Sequence, residues 1–249
     1  MPDLIRDLRL NRYPGRGIIL GCHEDGLHAV MAYFIMGRSS NSRNRIFVAE
    51  GDGLRTAAYD PSAMTDPTLV IYHPVRVYGK ATIVTNGDQT DTIYEYIKNG
   101  SDFDDALRTR TFEPDAPHYT PRISGMLERR GKSFDYRLSI LKTLDGEAAS
   151  RHFFEYPNPT PGRGHLIHTY ANGHPPKRSG TALGGSESNA DPLPSFAGEP
   201  REVEIMGSID SFTDLIWRSL NEKNKVSLFV RFLNLRTGRI QTKIINRNE

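Results

Sequence analysis

The residues best equipped for chemistry form a run of nine, from Gly37 to Arg45. The run holds three arginines, three serines and two asparagines, and it holds no acidic residue. A guanidinium presents a planar set of donors that matches a phosphate group, and hydroxyl and backbone N–H groups can bind the remaining phosphate oxygens. The composition favours an anion site over the alternative, a solvated polar loop.

A second reactive segment runs from Glu113 to Arg122 and contains three prolines, which stiffen it. It offers two carboxylates, an imidazole, a phenol and a guanidinium within ten residues. Such a mixture suits general acid–base catalysis or hydrogen bonding to a polar heterocycle. A rigid connector whose charges face water is an equally good interpretation.

Tyr72 and Asn86 each end an apolar stretch that is typical of a strand. Their polar side chains could therefore meet at one end of a sheet. A tyrosine at a strand end is more often structural than catalytic, and the sequence alone favours that interpretation.

Composition excludes several classes of protein. The chain has 249 residues, a net charge of 32 − 30 = +2 and 37% hydrophobic residues, which predicts one large domain or a tight pair of domains. The near-neutral charge argues against binding to bulk nucleic acid. The single cysteine, Cys22, excludes a disulfide framework and a cysteine-based zinc cluster. We interpret Cys22 as structural and expect it in a turn near the first hairpin.

Motif spacing excludes further classes. The sequence contains no dinucleotide fingerprint, no P-loop and no serine nucleophile elbow. His165 and His168 lie on a predicted strand, where residues three apart face opposite sides and cannot chelate one metal. The eight histidines show no metal-ligand spacing. The first residues lack the features of a signal peptide and no apolar window suits a membrane helix, so we expect a cytoplasmic protein that binds no membrane.

The elements that must position the reactive side chains are mostly antiparallel strands. The apolar pattern predicts about ten strands, joined largely as hairpins, and three helices. The stretch His28 to Met36 is apolar on both faces, which indicates a strand covered on both sides. The predictions include a strand over 68–72, a helix over 101–108 that begins at Ser101, and a later helix capped by Ser211.

Four motifs, in their order and spacing, resemble the archaeal-type IMP cyclohydrolase family and its bacterial relatives. The resemblance covers roughly residues 10–245 and rests on Pro14-Gly15-Arg16-Gly17, Gly37-Arg38-Ser39 through Asn44-Arg45, Thr85-Asn86-Gly87 and Thr120-Pro121-Arg122-Ile123-Ser124. It implies an α+β fold with four layers, αββα, similar to that of N-terminal nucleophile hydrolases. The chain is then a single domain over residues 1–249, in which the Gly-, Pro- and Ser-rich residues 172–200 form a functional lid or an insert.

The resemblance also implies an activity, the last step of purine synthesis. In that step 5-formamidoimidazole-4-carboxamide ribonucleotide closes its ring to IMP and loses water. The resemblance implies no metal and no organic cofactor. It implies a purine ribonucleotide as the small-molecule partner and no nucleic-acid partner, and it leaves a homo-oligomer open.

On this basis the candidate residues take expected roles. Arg38, Arg43 and Arg45 are expected to bind the 5′-phosphate. Arg122 or Tyr72 is expected to stabilise the oxyanion that develops on the formyl oxygen. The base and the acid are expected among Glu113, Asp115 and His118. Further candidates for substrate binding are Ser39, Asn41, Asn44, Asn86 and Thr120.

Three rival functions fit parts of the same sequence. The first is a purine-nucleotide-binding protein that has this fold and no turnover. The second is an amidohydrolase that uses Cys22 or a serine as its nucleophile. The third is an RNA-binding module that uses the arginine-rich run and would show a steep dependence of affinity on salt.

Overall fold

The structure is a computed structural model that describes residues 2–171 and 199–248. This part of the chain contains thirteen β-strands, five α-helices and one short 3-10 helix at Pro61–Ala63. In chain order the elements are α1 Pro2–Leu10, β1 Arg16–Cys22, β2 His28–Met36, α2 Ser40–Arg43, β3 Arg45–Glu50, β4 Gly53–Ala58, β5 Val75–Tyr78, β6 Ala81–Thr85, α3 Gln89–Lys98, α4 Phe103–Arg108, β7 Arg122–Arg130, β8 Ser133–Lys142, β9 Ser150–Tyr156, β10 Arg163–His168, β11 Arg201–Glu204, α5 Ile209–Ser219, β12 Lys225–Asn234 and β13 Ile240–Asn246.

The strands form two antiparallel sheets. Sheet A has the strand order β11-β10-β1-β2-β12-β13, and sheet B has the order β3-β4-β5-β6-β7-β8-β9. Every pair of neighbouring strands within them is antiparallel. With helices segregated from the strands, the fold is α+β, as the sequence predicts.

The two sheets share a hydrophobic core, and helices cover their other faces. In β2, Met31, Tyr33 and Ile35 pack in the core shared with sheet B, whereas Phe34 packs with Leu8 of α1 on the outer face of sheet A. Alternate residues of a strand point to opposite faces. The prediction that both faces of His28–Met36 are covered is therefore confirmed.

The outer face of each sheet has its own apolar cluster. On sheet A it contains Leu4 of α1 and Phe212 of α5. On sheet B it contains Ile93 of α3 and Phe103 of α4, packed against Met126 of β7. Burial of these apolar side chains holds the helices on the sheets.

The predicted strand over 68–72 is wrong, because its backbone hydrogen bonds go elsewhere. The N–H groups of Val70 and Ile71 donate to the carbonyl of Pro67 at 3.1 and 2.9 Å, which makes a turn. The N–H of Tyr72 donates to Oγ1 of Thr56 at 2.8 Å, so a side chain takes the place of a strand partner. A pattern of apolar residues does not predict such a hydrogen bond between a side chain and the backbone.

Two predicted helix starts are also wrong. Helix α4 begins after Asp102, whose carboxylate accepts the N–H of Asp105, and not at Ser101. Helix α5 is capped by Ser208, three residues before Ser211. Helices α1 and α2 have no counterpart among the predicted helices, and the thirteen strands exceed the predicted count of about ten. Cys22 is the buried last residue of β1 and lies in no turn.

Two further sequence predictions concern residues 172–200 and the absence of a membrane helix. The predicted lid or insert at 172–200 lies outside the described residues, apart from residues 199 and 200. Among the helices of residues 2–171 and 199–248, none combines the length and the hydropathy needed to cross a membrane.

Candidate active site

Three buried arginines lie where strands begin, at one common end of the two sheets. Arg16 begins β1, Arg45 begins β3 and Arg122 begins β7, and their exposed fractions are 8%, 0% and 5%. Arg16 and Arg45 precede Ile18 and Phe47 by two residues, and those two side chains lie in the core between the sheets. The period of two in a strand therefore turns both guanidiniums toward the space between the sheets.

Glu113 is the carboxylate that faces these arginines. It lies between α4 and β7, only 1% exposed, and its N–H donates to the carbonyl of Thr120 at 2.9 Å. Its Oε1 accepts from Nδ2 of Asn86 at 3.3 Å. Burial raises the pKa of Glu113 to about 7, although Arg16 and Arg122 oppose the shift. At neutral pH this carboxyl group can therefore both accept and donate a proton.

The arginines outnumber the carboxylates inside the cluster. Burial opposes the charge of Arg16, yet Glu113 and nearby tyrosines raise its pKa above the usual value. Burial and the charge of Arg16 lower the pKa of Arg45. Among the described residues, Nε of Arg16 and Nη1 of Arg45 have no hydrogen-bond partner. Such buried donors are costly unless a further acceptor, such as an anionic ligand, binds them.

Two tyrosines lie against the same arginines. Oη of Tyr72 lies 2.7 Å from Oη of Tyr33, a residue of β2. Burial raises the pKa of Tyr72, while Arg45 and Arg16 act against this shift. The phenol of Tyr72 therefore stays protonated at neutral pH and can donate one hydrogen bond.

Arg122 and Asn86 are held by the start of helix α3. Nη1 of Arg122 donates to Asp88 at 2.6 Å and to Oε1 of Gln89 at 2.7 Å. Nδ2 of Asn86 also donates to the carbonyl of Pro121 at 2.9 Å, and its Oδ1 accepts the N–H of Ile123. Both ends of the Asn86 amide are thus used to fix the segment that carries Glu113.

Asp115, Thr120 and His118 form the outer part of the cluster. Thr120 is buried, and both its N–H and its hydroxyl donate to the carboxylate of Asp115. Burial and the nearby charge of Arg38 lower the pKa of His118. The structure thus brings together most of the side chains that the sequence singles out between Glu113 and Arg122.

The arginine-rich run from Gly37 to Arg45 divides between the cluster and the protein surface. Arg45 points inward, and the guanidinium of Arg38 lies 5.1 Å from the ring centre of Tyr13. Arg43 donates from Nε to the carbonyl of Gly37 at 2.9 Å and from Nη2 to Asn224.

The polar side chains of the same run maintain its local structure. Ser39 caps α2 by accepting the N–H of Ser42 at 3.1 Å. The Asn41 and Asn44 amides bind backbone groups of residues 60–66. Substrate binding by Ser39, Asn41 and Asn44, and by Arg43, stays a prediction.

Comparison with known proteins decides the family. A family model described as IMP cyclohydrolase-like protein matches residues 13–238, a range that includes the whole cluster and excludes helix α1. The chain belongs to the IMP cyclohydrolase-like family. The resemblance found in the sequence is thereby confirmed.

Archaeal relatives agree with this family. The IMP cyclohydrolase of Methanopyrus kandleri is 31% identical over 189 residues, which cover 74% of this chain and 89% of that protein. The IMP cyclohydrolase of Methanothrix thermoacetophila is 29% identical over 146 residues, 55% of this chain and 71% of that protein. The IMP cyclohydrolase of Methanosphaera stadtmanae is 26% identical over 180 residues, 71% of this chain and 82% of that protein.

Sequence reasoning about this family member missed Arg16, Tyr33 and Tyr170 as members of the site. Arg16 stands within the motif Pro14-Gly15-Arg16-Gly17, which carries part of the resemblance and was the available signal. The same tetrapeptide recurs at 161–164, where its arginine is exposed, so the motif by itself does not mark a site. Tyr33 and Tyr170 lacked a local signal, because their partners Tyr72 and Thr120 lie 39 and 50 residues away.

Two histidines and an aspartate lie close together, although the sequence shows no metal-ligand spacing among the eight histidines. Ligand atoms of His23, Asp25 and His28 lie within 4.8 Å of one another at the β1–β2 turn. However, Nε2 of His28 accepts from Nδ2 of Asn234, so its proton is on Nδ1, which faces Oδ2 of Asp25 at 2.7 Å. That nitrogen has no lone pair for a metal. The geometry is that of a hydrogen-bonded turn.

The surroundings of His165, His168 and Cys22 support two other interpretations of the sequence. His165 binds Oη of Tyr136 at 2.6 Å, whereas His168 lies near Asp7 of α1, so the two rings face opposite sides of β10. Burial raises the pKa of Cys22 to about 11. A thiol with this pKa is a poor nucleophile at neutral pH, which agrees with a structural role.

Proposed function

We propose that this chain closes the ring of 5-formamidoimidazole-4-carboxamide ribonucleotide to IMP, with loss of water. The observation that carries the proposal is Glu113, a buried carboxyl group with a pKa of about 7, enclosed by arginines in a member of the IMP cyclohydrolase-like family. The relatives in archaea bear the name IMP cyclohydrolase.

The reaction requires orientation and proton transfer more than nucleophilic power. The carboxamide nitrogen attacks the formyl carbon of the same molecule, so proximity is built into the substrate. The carboxamide nitrogen loses a proton and the formyl oxygen gains one, which gives a cyclic carbinolamine. The carbinolamine then loses the proton of the former formamide nitrogen and the hydroxyl group, which leaves as water. Glu113 donates a proton to the formyl oxygen and then, as a carboxylate, takes the proton of the former formamide nitrogen. It donates that proton to the departing hydroxyl group and is protonated again before the next turnover.

The excess of buried positive charge supports a substrate that carries negative charge. Burial and the charge of the nearby Arg16 lower the pKa of Arg45, so a negative charge bound beside Arg45 would be stabilising. In the proposed complex, the anionic groups of the substrate neutralise the buried Arg45 and the exposed Arg38. Remote binding of this kind can hold the formamide in its reactive rotamer.

Tyr72 is the proposed donor to the oxyanion on the formyl oxygen. In this scheme Tyr33 donates to Tyr72, so that the single proton of Tyr72 is free for the substrate. Arg122 is the weaker candidate because Asp88 and Gln89 already accept from its Nη1. We therefore assign Arg122 to positioning the cluster.

The deciding experiment follows IMP absorbance after the purified chain is mixed with the formylated ribonucleotide. We expect turnover by the wild type, and a kcat lowered about 10²-fold or more in Glu113→Gln with KM little changed. The matched control is Glu155→Gln, an exposed glutamate at β9, which should keep the wild-type kcat. Tight IMP binding without turnover would instead support the non-catalytic nucleotide-binding function.

The finer description of the molecule belongs to the same proposal. We propose that the two sheets and their outer helices form the four-layer αββα arrangement of N-terminal nucleophile hydrolases, as a single domain over residues 1–249. The shared core and the helices on both outer faces support this view. A cytoplasmic location and a homo-oligomer stay predictions from the sequence.

A further inference from the structure

A row of three hydrogen-bonded side chains connects the buried cluster with the surface. Oη of Tyr170 lies 2.6 Å from Oγ1 of Thr120. The hydroxyl of Thr120 donates to Oδ2 of Asp115, and Oδ1 of Asp115 accepts the N–H of Thr120 at 2.6 Å. Tyr170 and Thr120 are buried, whereas Asp115 is partly exposed. The row therefore leads from the interior toward solvent.

The direction of these hydrogen bonds follows from the groups involved. An ionised carboxylate only accepts, so the single hydroxyl proton of Thr120 points to Asp115. Thr120 must then accept from Tyr170, and the phenol proton of Tyr170 points to Thr120. The lone pairs of Oη that remain on Tyr170 can accept a proton from within the cluster.

The surroundings of Tyr170 place it beside the reacting groups. The charge of Arg16 acts on both Tyr170 and Glu113, and the ring of Tyr170 stacks on Tyr13 with 5.8 Å between ring centres. Burial raises the pKa of Tyr170, so a free phenolate is costly there. A phenol oxygen that carries two protons is a strong acid, so Tyr170 does not keep both. Tyr170 can therefore accept a proton only while its own hydroxyl proton passes to Thr120.

We propose that Tyr170, Thr120 and Asp115 form a relay that carries the proton of the substrate's carboxamide nitrogen out of the site during ring closure. The inference rests on the proposed function and deepens it. Tyr170 is the group that touches the substrate, and Thr120 and Asp115 act through it. Glu113 then does not need to accept the carboxamide proton and can donate to the formyl oxygen. The two proton transfers of ring closure thus use separate groups.

The relay balances its bonds. One N–H bond of the substrate breaks, together with the O–H bonds of Tyr170 and Thr120. Three O–H bonds form, on Tyr170, on Thr120 and on Oδ2 of Asp115. The resulting carboxylic acid returns its proton to solvent, because Asp115 is partly exposed. Each residue between the substrate and solvent ends the step with its original formal charge.

The test breaks the middle of the relay and then restores it. Thr120→Val keeps the shape of the side chain and removes its hydroxyl, whereas Thr120→Ser keeps the hydroxyl. We expect Thr120→Val to lower kcat about 10²-fold with KM changed by less than about threefold, and Thr120→Ser to keep kcat within about threefold of the wild type. Tyr170→Phe, which keeps the ring on Tyr13, should match Thr120→Val.

A matched control measures the effect of losing any buried threonine hydroxyl. Thr213 is buried in α5, and its hydroxyl donates to the carbonyl of Ile209 at 2.6 Å, on the outer side of sheet A. Thr213→Val should keep the wild-type kcat. Circular dichroism of each variant before the assay shows whether it is folded.

Rates in mixtures of H2O and D2O provide a readout that a purely structural role would not change. When several protons move in the same rate-limiting step, kcat depends on the deuterium fraction along a curve. We expect such a curve for the wild type and for Thr120→Ser. The dependence should become linear in Thr120→Val. Wild-type kcat in folded Thr120→Val, or no recovery in Thr120→Ser, overturns the relay and leaves the cyclohydrolase function intact. Absence of IMP formation by the wild type overturns both.

Discussion

At the scale of single residues, the proposed catalytic group Glu113 also affects the stability of the fold. Its pKa of about 7 in the folded chain lies above the usual value of 4.5, so between these values the folded chain binds more protons than the unfolded chain. The free energy of unfolding therefore falls as the pH rises from about 4.5 to 7. The fall amounts to about 3 kcal/mol for this group, which is fully buried. The carboxyl group that we propose for proton transfer thus costs stability at neutral pH.

The first prediction concerns this pH dependence. Glu113→Gln retains an oxygen that can accept from Asn86 and removes the ionisation. We expect the free energy of unfolding of the variant, relative to the wild type, to rise by about 3 kcal/mol between pH 5 and pH 8. Urea unfolding of both proteins at the two pH values measures this difference. Parallel pH profiles for the two proteins would show that Glu113 ionises normally in the folded chain.

The second prediction concerns the pair Tyr33 and Tyr72. Tyr72→Phe removes the proposed oxyanion donor and should lower kcat about 10²-fold. Tyr33→Phe removes one hydrogen bond to Tyr72, worth roughly 1 kcal/mol, and should lower kcat about fivefold to tenfold. Because Tyr33 acts through Tyr72, the double variant should equal Tyr72→Phe alone. Steady-state kinetics of the three variants check the pattern, and additive losses would assign Tyr33 an independent role.

How much of the site the sequence predicts depends on distance along the chain. Glu113, Asp115, Thr120 and Arg122 share one short segment, and the structure keeps them together. Tyr170 joins them only because β10 returns beside β1, where Gly17 pairs with His168. Contacts of that kind depend on sheet order, which the spacing of residue types along one chain does not contain.

At the scale of elements, the pairing of β1 with β10 depends on two facing glycines. Gly21 pairs with Gly164, and a Cβ on Gly21 would lie 2.3 Å from the Cα of Gly164 and 2.4 Å from the carbonyl oxygen of Arg163. Both contacts are with backbone, so a rotamer change cannot relieve them. The two strands would have to separate.

The third prediction is that Gly21→Ala lowers the free energy of unfolding by about 3 kcal/mol or more, at the upper end for overpacking. The control is Gly131→Asn, at a turn residue with φ +63 whose Cβ would meet no described atom within 4 Å. Asparagine tolerates this backbone conformation, so the control should change stability by less than about 1 kcal/mol. Urea unfolding compares the two, and equal effects would contradict the close approach of β1 and β10.

Elements were predictable where turn residues bound an alternating apolar run. The hairpin of β12 and β13 and the strands β7 and β8 have such turns and are confirmed. The strand predicted over 68–72 failed because Thr56 binds the Tyr72 backbone through its side chain. Helix α2 is a single turn whose Ser39 cap was interpreted as a possible phosphate ligand.

At the scale of the whole molecule, overall charge conceals local charge. The net charge of +2 gives no sign that three buried arginines meet at one end of the sheets. That end combines residues of both sheets, with Arg16 and Tyr33 from sheet A and Arg45 and Arg122 from sheet B. A site of this kind requires the two sheets to keep a fixed relation to each other.

Asn246 is one of the contacts that fix this relation. The side chain of Asn246, at the end of β13 in sheet A, accepts the N–H of Phe47 at 2.8 Å and donates to its carbonyl at 3.1 Å. Phe47 belongs to β3 in sheet B and packs against Tyr33 of sheet A with 5.6 Å between ring centres. Sheet A and sheet B are therefore joined by hydrogen bonds as well as by their apolar core.

The fourth prediction follows from this joint core and tests the proposed single domain. Trp217, the only tryptophan, packs on the outer face of sheet A, and its ring centre lies 4.4 Å from Nζ of Lys225. Its fluorescence reports on that face, whereas far-ultraviolet circular dichroism reports on both sheets. We expect the two signals to show the same urea midpoint, because neither sheet can retain its inner face alone. A fluorescence midpoint clearly below that of circular dichroism would mean that sheet A unfolds first and that the sheets are separate cooperative units.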